Sequence, residues 1–489
     1  MRLGDLVNHI PGIAAASADL EADITGLTSD SRAVRPGVIF AALPGTRHDG
    51  RAFIAEAIAR GAVAVLAPRG TALPQGLAPG LLLAAEDARQ ALARMAAAFH
   101  GAQPGTVIAV TGTNGKTSTV DFLRQIWRLQ GRSAASIGTL GLIADGFEPG
   151  PSLTTPDPVA LHAMLAELAH GGISHAAMEA SSHGIDQRRL DGVILAAAGF
   201  TNLTRDHLDY HGSMEAYRTA KLRLFDTLLA EGAAAVVSAD MDAETLAALR
   251  EAAQRRRLSL STVGETGDEV RLLRHTPLPD GQEITFEAFG ARQPATLALP
   301  GRFQTDNALL AATLATVSGL PAAQAFGMLG KLGGVRGRME LAARLPNDAA
   351  IYVDYAHTPD AIARLLAALR PHTTGRLHIL FGAGGDRDPG KRALMGAAAC
   401  GGADVVWVTD DNPRSEDPAA IRAAVLAGCD KGIGIAGRAA AIATAMTDLG
   451  PGEVLAVAGK GHESGQTIGG VTLPFDDADI VRRIAGHRS

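Results

Sequence analysis

The sequence predicts an α/β protein of three domains whose sheets are mostly parallel. Three observations carry that expectation. The chain has 489 residues, and at roughly 100–200 residues per domain this suggests about three. A short apolar run, a glycine turn and a helical periodicity follow one another over residues 106–129. Near the C-terminus, four apolar runs each end in a loop rich in glycine or aspartate. Alternation of strand and helix implies a parallel sheet covered on both faces.

The first hundred residues alternate short apolar runs with glycine and proline turns. FIAEAIARGAVAVLAP (53–68) reads as a helix, a glycine stop and a strand, and HGAQPG (100–105) reads as a linker. In TVIAVTGTNGKTSTVDFLRQIW, Thr106 to Thr111 is a short buried strand and Gly112 to Gly115 a turn. From Lys116 onward Val120, Leu123 and Trp127 share one helical face. Strands are expected at ISHAAM (173–178), 194–201 and 233–238, and a helix over MEAYRTAKLRLF (214–225). The central domain therefore reads as a P-loop-type sheet with helices on both faces. From Met339 on, AAIYVDYAH, RLHILFGAGG, ADVVWVTDD and EVLAVAGKG are four strand-to-loop units, the pattern of a Rossmann-like domain. The expected domains are 1–103, 104–337 and 338–489.

Composition bounds the function classes. Hydrophobic residues make up 47% and charged residues 20%, the profile of a globular chain with substantial cores. Aromatics are only 4%, so aliphatic side chains fill those cores. The net charge is -6 without a long basic run, which argues against a nucleic-acid partner. Cys400 and Cys429 are the only cysteines and read as reduced thiols. The N-terminus MRLGDLVNHIPG does not read as a secretory signal. No apolar run reaches the about 18 residues needed to span a bilayer. A cytoplasmic protein without stable membrane association is expected.

GTNGKTS (112–118) is the clearest site. A glycine turn between strand and helix lets backbone N–H groups converge on phosphate oxygens, and the helix N-terminus adds partial positive charge. Lys116 can reach terminal phosphates and the Thr117 hydroxyl can ligate Mg²⁺. Val110 stands where the general phosphate-loop signature has its first glycine, so this is a shorter variant. Glu179 follows a strand in AMEASSHGIDQRRL, and a carboxylate there could hold a metal. TNLTRDHLDYHG (201–212) is dense in Asp and His, and Lys221 lies on the helix after it. Taken singly, these motifs also read as a capped helix, a polar loop and a surface lysine. The Asp410–Asp411 pair likewise reads either as part of a binding loop or as the cap of a helix starting after Pro418.

GTNGKTS, EASSHG, TNLTRDHLDYHG, TAKL, GRME, VDYAHTPD, GGDRD, DNPR and AGKGHE occur in this order. The chain thereby resembles the Mur ligases, with motifs from about residue 27 to 463. The resemblance implies an ATP-dependent ligase of peptidoglycan synthesis. Its substrates would be UDP-MurNAc-L-Ala-D-Glu, meso-diaminopimelate and ATP, with two Mg²⁺, and it would work as a monomer. It implies that Ser29, Ser31, Thr46, Arg47 and His48, in SDSRAVRPGVIFAALPGTRHDG, meet the uridine nucleotide. Thr154, Thr155, Ser181, Gln187, Arg189 and Lys221 would hold the muramyl-peptide arm; Leu153 stands where the family can show asparagine. ATP would meet Gly112, Thr113, Asn114, Gly115, Lys116, Thr117, Ser118, Asn307, Arg338, Asp354 and His357, between the second and third domains. Gln304 replaces the family's usual asparagine. Metal ligands would be Thr117, Glu179, His207 and Lys221, the last as a carbamate, with Lys116, Lys221 and His207 catalytic. Arg387, Asp411, Asn412, Pro413, Arg414, Gly459 and Glu463 would form the diaminopimelate pocket. A lysine-adding or other ligase of the superfamily is the alternative, and a catalytically silent nucleotide-binding regulator a more distant one.

Overall fold

A computed structural model describes residues 1–8, 10–15, 20–45, 48–76, 81–148, 150 and 153–486. The chain divides into two compact units, Met1–Val263 with Leu310–Pro321, and Gly264–Leu309 with Ala322–Ser489.

The first unit holds two α/β sheets. The N-terminal sheet comprises β1 (Ile13–Ala15), β2 (Gly26–Thr28), β3 (Val38–Ala41), β4 (Ala64–Pro68) and β5 (Leu82–Ala85), in the order β1-β5-β4-β3-β2. All pairs are parallel except β1–β5. The second sheet uses β6 (Thr106–Thr111), β7 (Ala134–Gly138), β8 (Gly141–Ile143), β9 (His175–Glu179), β10 (Ala197–Phe200), β11 (Ala234–Ser238) and β12 (Ser259–Gly264). Its order in this unit is β12-β11-β10-β6-β9-β7-β8, and only β8 runs antiparallel. The chain leaves β6 for β7 and leaves β9 for β10, in opposite directions from adjacent strands. Right-handed crossovers then put the two connections on opposite faces. The crevice beyond the ends of β6 and β9 is the place where such sheets bind ligands.

The helix Lys116–Leu129 begins where the glycine turn predicts. Val120, Leu123 and Trp127 are all fully buried or nearly so, so the 3.6-residue spacing marks the face that meets the sheet. Expected strand 194–201 is shorter, Ala197–Phe200. Ile194 is 75% exposed, and the Gln103 side chain bonds both its N–H and its C=O. An amide on the linker thus takes the backbone groups a strand neighbour would need. The helix expected over 214–225 runs Met214–Arg223 and continues as a π-turn, Leu224–Leu228.

In the second unit, β13 (Val270–Leu278), β14 (Gly281–Ala288) and β15 (Ala291–Leu297) form an antiparallel meander. The sequence reading did not isolate it. Asp280–Gly281 and Phe289–Gly290 supply its turns, with Gly281 at φ 148° and Gly290 at φ 80°. The last large sheet comprises β16 (Glu340–Arg344), β17 (Ala350–Asp354), β18 (Leu377–Phe381), β19 (Val405–Val408), β20 (Ile433–Gly434) and β21 (Val454–Ala458). Its order is β16-β17-β21-β18-β19-β20, parallel but for β16. A hairpin of β22 (Gly465–Ile468) and β23 (Val471–Pro474) follows. The four strand-to-loop units are β17, β18, β19 and β21, and their loops share the carboxyl edge of one sheet. The helix Pro418–Leu426 is capped by Asp417, which accepts the Ala419 N–H. The Asp410–Asp411 pair therefore does not cap it; Asp410 instead pairs with Arg422.

Candidate functional site

The phosphate loop is built by a second loop that templates it. Gly112 has φ 143°, and a Cβ there would stand 1.9 Å from Thr201 Oγ1. The Thr113 N–H donates to Asn202 O at 2.8 Å and the Asn114 N–H to Asn202 Oδ1 at 3.0 Å. Thr201 Oγ1 and Asn202 Nδ2 both donate to Asn114 O, at 2.5 and 3.1 Å. Thr113 Oγ1 accepts the Thr204 N–H at 3.0 Å and lies 3.2 Å from Tyr217 Oη. Gly115, at φ 85°, turns the chain into the helix, whose first turn buries Thr117 and Ser118.

Two lysine side chains meet at one carbonyl. Lys116 Nζ donates to Gly112 O and Thr113 O, both at 2.9 Å. Lys221 Nζ donates to the same Gly112 O at 2.8 Å and lies 4.6 Å from the Tyr217 ring centre. Lys221 is only 1% exposed. Burial, with the Lys116 charge beside it, holds its pKa well below the ordinary lysine value; Asp206 pulls it the other way.

Glu179 ends β9 at the crevice and is 2% exposed. Its Oε1 accepts the Thr139 N–H at 2.8 Å and its Oε2 the Thr139 hydroxyl at 3.2 Å. The glycine at 138 leaves room for this carboxylate, since a Cβ there would stand 2.2 Å from Glu179 Oε1 and displace it. Thr139 Oγ1 lies 3.1 Å from Thr154 Oγ1. Thr155 Oγ1 donates to Glu179 O at 2.8 Å and lies 3.0 Å from Ser181 Oγ. Arg189 donates to Thr155 O at 2.6 Å and to Gln187 Oε1 at 2.8 Å. Thr154, Thr155, Glu179, Ser181, Gln187 and Arg189 thus form one connected network.

His207 is about half exposed at φ 52°, with its ring edge-on to His183 at 4.9 Å. Burial, then the neighbouring His207 and His211, push the His183 pKa down. Among the described residues no group of three or more His, Cys, Asp or Glu could hold a metal. A cation here would need donors besides protein carboxylates and imidazoles, such as hydroxyl, phosphate or water oxygens. In the N-terminal sheet, Ser29 and Ser31 follow β2 and His48 follows β3, at the carboxyl ends of neighbouring parallel strands. Thr46 and Arg47 lie outside the described residues.

In the second unit, Asp411, Asn412 and Glu463 converge. Asn412 Nδ2 donates to Glu463 Oε2 at 3.0 Å, and a Cβ on Gly459 would stand 3.6 Å from Asp411 Oδ2. Arg414, at φ 52°, donates from its guanidinium to Gly385 O at 2.6 Å. Pro413 presses its carbonyl on Gly385, where a Cβ would meet it at 1.9 Å. Arg387 is exposed on the neighbouring loop. Asp354 accepts the Met339 and Ala356 N–H groups, both at 2.8 Å, and burial raises its pKa. Arg338 packs over the Tyr355 ring at 4.9 Å, and His357 stacks edge-on to Tyr355 at 4.6 Å. Asn307 Nδ2 donates to Gln304 Oε1 at 3.4 Å, and Gln304 donates to Arg338 O at 3.3 Å. The reading of the sequence named neither Thr139, Asn202 and Tyr217 nor Lys460. A lysine at the mouth of an apolar strand was the available signal for the last.

Three comparisons with known proteins agree. The profiles described as Mur ligase family, catalytic domain, Mur ligase middle domain, and Mur ligase, glutamate ligase domain match residues 23–100, 110–315 and 337–461. A relative in Mesorhizobium japonicum is 52% identical, covering 100% of each chain. One in Caulobacter vibrioides is 52% identical over 95% of this chain and 96% of its own. Both are called UDP-N-acetylmuramoyl-L-alanyl-D-glutamate--2,6-diaminopimelate ligase. A solved structure under that name is 32% identical, covers 99% of each chain and superposes with a TM-score of 0.73. A MurF ligase from Thermotoga maritima in complex with ADP shares the fold at 21% identity and a TM-score of 0.61, over 96% of this chain and 98% of its own.

Proposed function

The chain belongs to the Mur ligase family, and from that premise we propose how it joins meso-2,6-diaminopimelate to UDP-MurNAc-L-Ala-D-Glu. It is an ATP-dependent ligase of peptidoglycan precursor synthesis. The observation that carries this is the 52% identity, over the whole chain, to relatives bearing that activity's name.

The γ-carboxylate of the D-glutamyl residue attacks the γ-phosphate of ATP. The oxygen–phosphorus bond forms, ADP leaves, and an acyl phosphate results. The amine of diaminopimelate then attacks the acyl carbon, phosphate leaves with the bonding pair, and the amine's proton passes to solvent. Lys116 and the N–H groups of residues 112–118 stabilise the phosphate charge that develops. Thr154, Thr155, Ser181, Gln187 and Arg189 hold the muramyl peptide, and Ser29, Ser31, Thr46, Arg47 and His48 its nucleotide. Asn307, Arg338, Asp354 and His357 serve ATP. Arg387, Asp411, Asn412, Pro413, Arg414, Gly459 and Glu463 receive diaminopimelate, Glu463 taking an ammonium and the Asn and Arg side chains the distal carboxylate.

Mg²⁺ fits the donors present. Thr117 offers a hydroxyl, Glu179 a buried carboxylate already oriented by Thr139, and His207 stands on the adjacent loop. Mg²⁺ takes few protein carboxylates and completes its octahedron with phosphate and water oxygens. When bound, it would supply positive charge to the transferring phosphoryl group. Lys221 suits carbamylation: its amine is buried, and its hydrogen bond is to a carbonyl. Uptake of CO₂ by the neutral amine, with loss of a proton, would turn it into an oxygen donor. The domains 1–103, 104–337 and 338–489 then serve nucleotide, ATP and amino acid. No helix of the described residues is long and apolar enough to cross a membrane; that the chain works in the cytoplasm, as a monomer acting on small molecules, is proposed from its family.

The test is phosphate release from ATP with UDP-MurNAc-L-Ala-D-Glu present and each amino acid added in turn. Release that requires meso-diaminopimelate supports the proposal. Release that prefers lysine assigns the chain to the lysine-adding branch.

A further inference from the structure

Lys460 lies in the loop after β21, and its side chain is fully buried. The glycines on either side, at φ 114° and 55°, let the loop turn the lysine inward. Gly461 is packed so closely that a Cβ would meet Tyr355 Cβ at 2.7 Å. The ammonium lies 3.1 Å from Asn412 Oδ1 and 3.4 Å from both Asp411 Oδ1 and Glu463 Oε2. It therefore touches three of the residues assigned above to the amino-acid pocket.

We propose that Lys460 is a positioning residue for amino-acid recognition, fixing the Asn412 amide and the Glu463 carboxylate toward the distal end of diaminopimelate. The inference rests on the pocket assignment given under Proposed function.

The Asn412 amide has two orientations of nearly equal shape but opposite polarity. Its oxygen accepts both Lys460 Nζ and the Thr467 N–H, the latter at 2.9 Å. Its nitrogen is thereby left to donate, and it does so to Glu463. Lys460 also stands between two carboxylates, Asp411 and Glu463. Without it those like charges would repel, and Glu463 would be free to turn away. The nearby Arg438 does not replace it, since that guanidinium is engaged with Asp477 at 2.7 Å. The distal centre of diaminopimelate carries an ammonium and a carboxylate. An oriented carboxylate beside an oriented amide donor matches that pair.

The test compares the full-length wild type with Lys460→Met and Lys460→Gln in steady-state kinetics for all three substrates. The KM for meso-diaminopimelate is expected to rise about tenfold or more, further in Lys460→Met than in Lys460→Gln, which keeps a donor. The KM values for ATP and the muramyl nucleotide, and kcat at saturating amino acid, should stay within about threefold. In a cycle with Asn412→Ala, the two effects on that KM should fall short of their product, because one acts through the other. An unchanged KM for diaminopimelate overturns the inference. So does a parallel rise in all three KM values with a fall in melting temperature, the mark of a merely structural role. Where Lys460→Met does not fold, Lys460→Gln carries the measurement. Arg414→Ala and Asn412→Ala separate the failures. If they weaken diaminopimelate use and the Lys460 variants do not, this inference alone falls. If they too leave it unchanged, the pocket assignment falls with it.

Discussion

Gly112 O accepts from both Lys116 and Lys221, an arrangement two ordinary ammonium groups would avoid. It fits the proposal that Lys221 takes up CO₂. Lys221→Ala should reduce ligation by at least about a hundredfold, the scale of losing one positioned electrostatic group, and short carboxylic acids should restore part of it. Activity assays with added acetate or formate check this; a variant near wild-type rate would remove Lys221 from the chemistry. Arg414 is the second residue-scale prediction. Lysine lacks the distal carboxylate, so its binding would leave the guanidinium without that partner. Arg414 is partly buried, and a hydrogen bond to a charged group is worth on the order of 1.5–3 kcal/mol. Arg414→Ala should therefore cut kcat/KM for meso-diaminopimelate about tenfold to more than a hundredfold and leave lysine use nearly unchanged. An unaltered ratio of the two constants would place selection on Arg387 or Asn412. Arg414 could be named only through the resemblance of DNPR to a family motif, since spacing and periodicity alone also allow a solvated charge there. Lys460 was not named, because its burial depends on loops far apart in the chain, around Asp411 and Glu463.

At the scale of the element, the strand–turn–helix of residues 106–129 could be read off the sequence residue by residue. Its apolar spacing and its glycines are local signals. What fixes the turn was not legible. Asn202 and Thr201 template it from about 90 positions away, and their polar side chains look like those of any surface loop. Gly112→Ala tests this: the new methyl would collide with Thr201 Oγ1 and would also sit at a φ that only glycine adopts easily. ATP turnover should be lost with only a modest fall in melting temperature, since the core beneath the loop is untouched. Full turnover would mean that the loop moves freely. The helix Pro158–His170 makes a different prediction. His162 is buried within it, and desolvation lowers its pKa from 6.5 to about 4. The folded form thus holds fewer protons than the unfolded one between these values. Its contribution is full above pH 6.5 and is lost as pH falls toward 4. At about 1.4 kcal/mol per pKa unit, the loss is roughly 3 kcal/mol. Chemical denaturation from pH 7 to 4 should be flatter in His162→Gln than in wild type; equal slopes would show that His162 is not the acid-sensitive group.

For the whole molecule, the sequence conveyed the class of fold because three mostly parallel sheets repeat one grammar of apolar strand, polar loop and helix. The antiparallel meander Val270–Leu297 escaped although Ile284, Phe286 and Ala288 are buried between exposed Glu283 and Glu287, because a register shift between Leu272 and Arg274 and a largely exposed third strand blur the period on either side. Each sheet presents candidate side chains at the carboxyl ends of its strands, and on the proposal above these sets together receive the nucleotide sugar, ATP and the amino acid. The account's central claim is that these sets serve one reaction. The direct test is product formation by purified full-length chain, followed by mass and by phosphate release, with ATP, UDP-MurNAc-L-Ala-D-Glu and either meso-diaminopimelate or lysine. The expected result is a UDP-MurNAc-tripeptide containing diaminopimelate, one phosphate released per product, none without all three substrates, and little product with lysine. Equal or faster product formation with lysine, or phosphate release that ignores the amino acid, would contradict it.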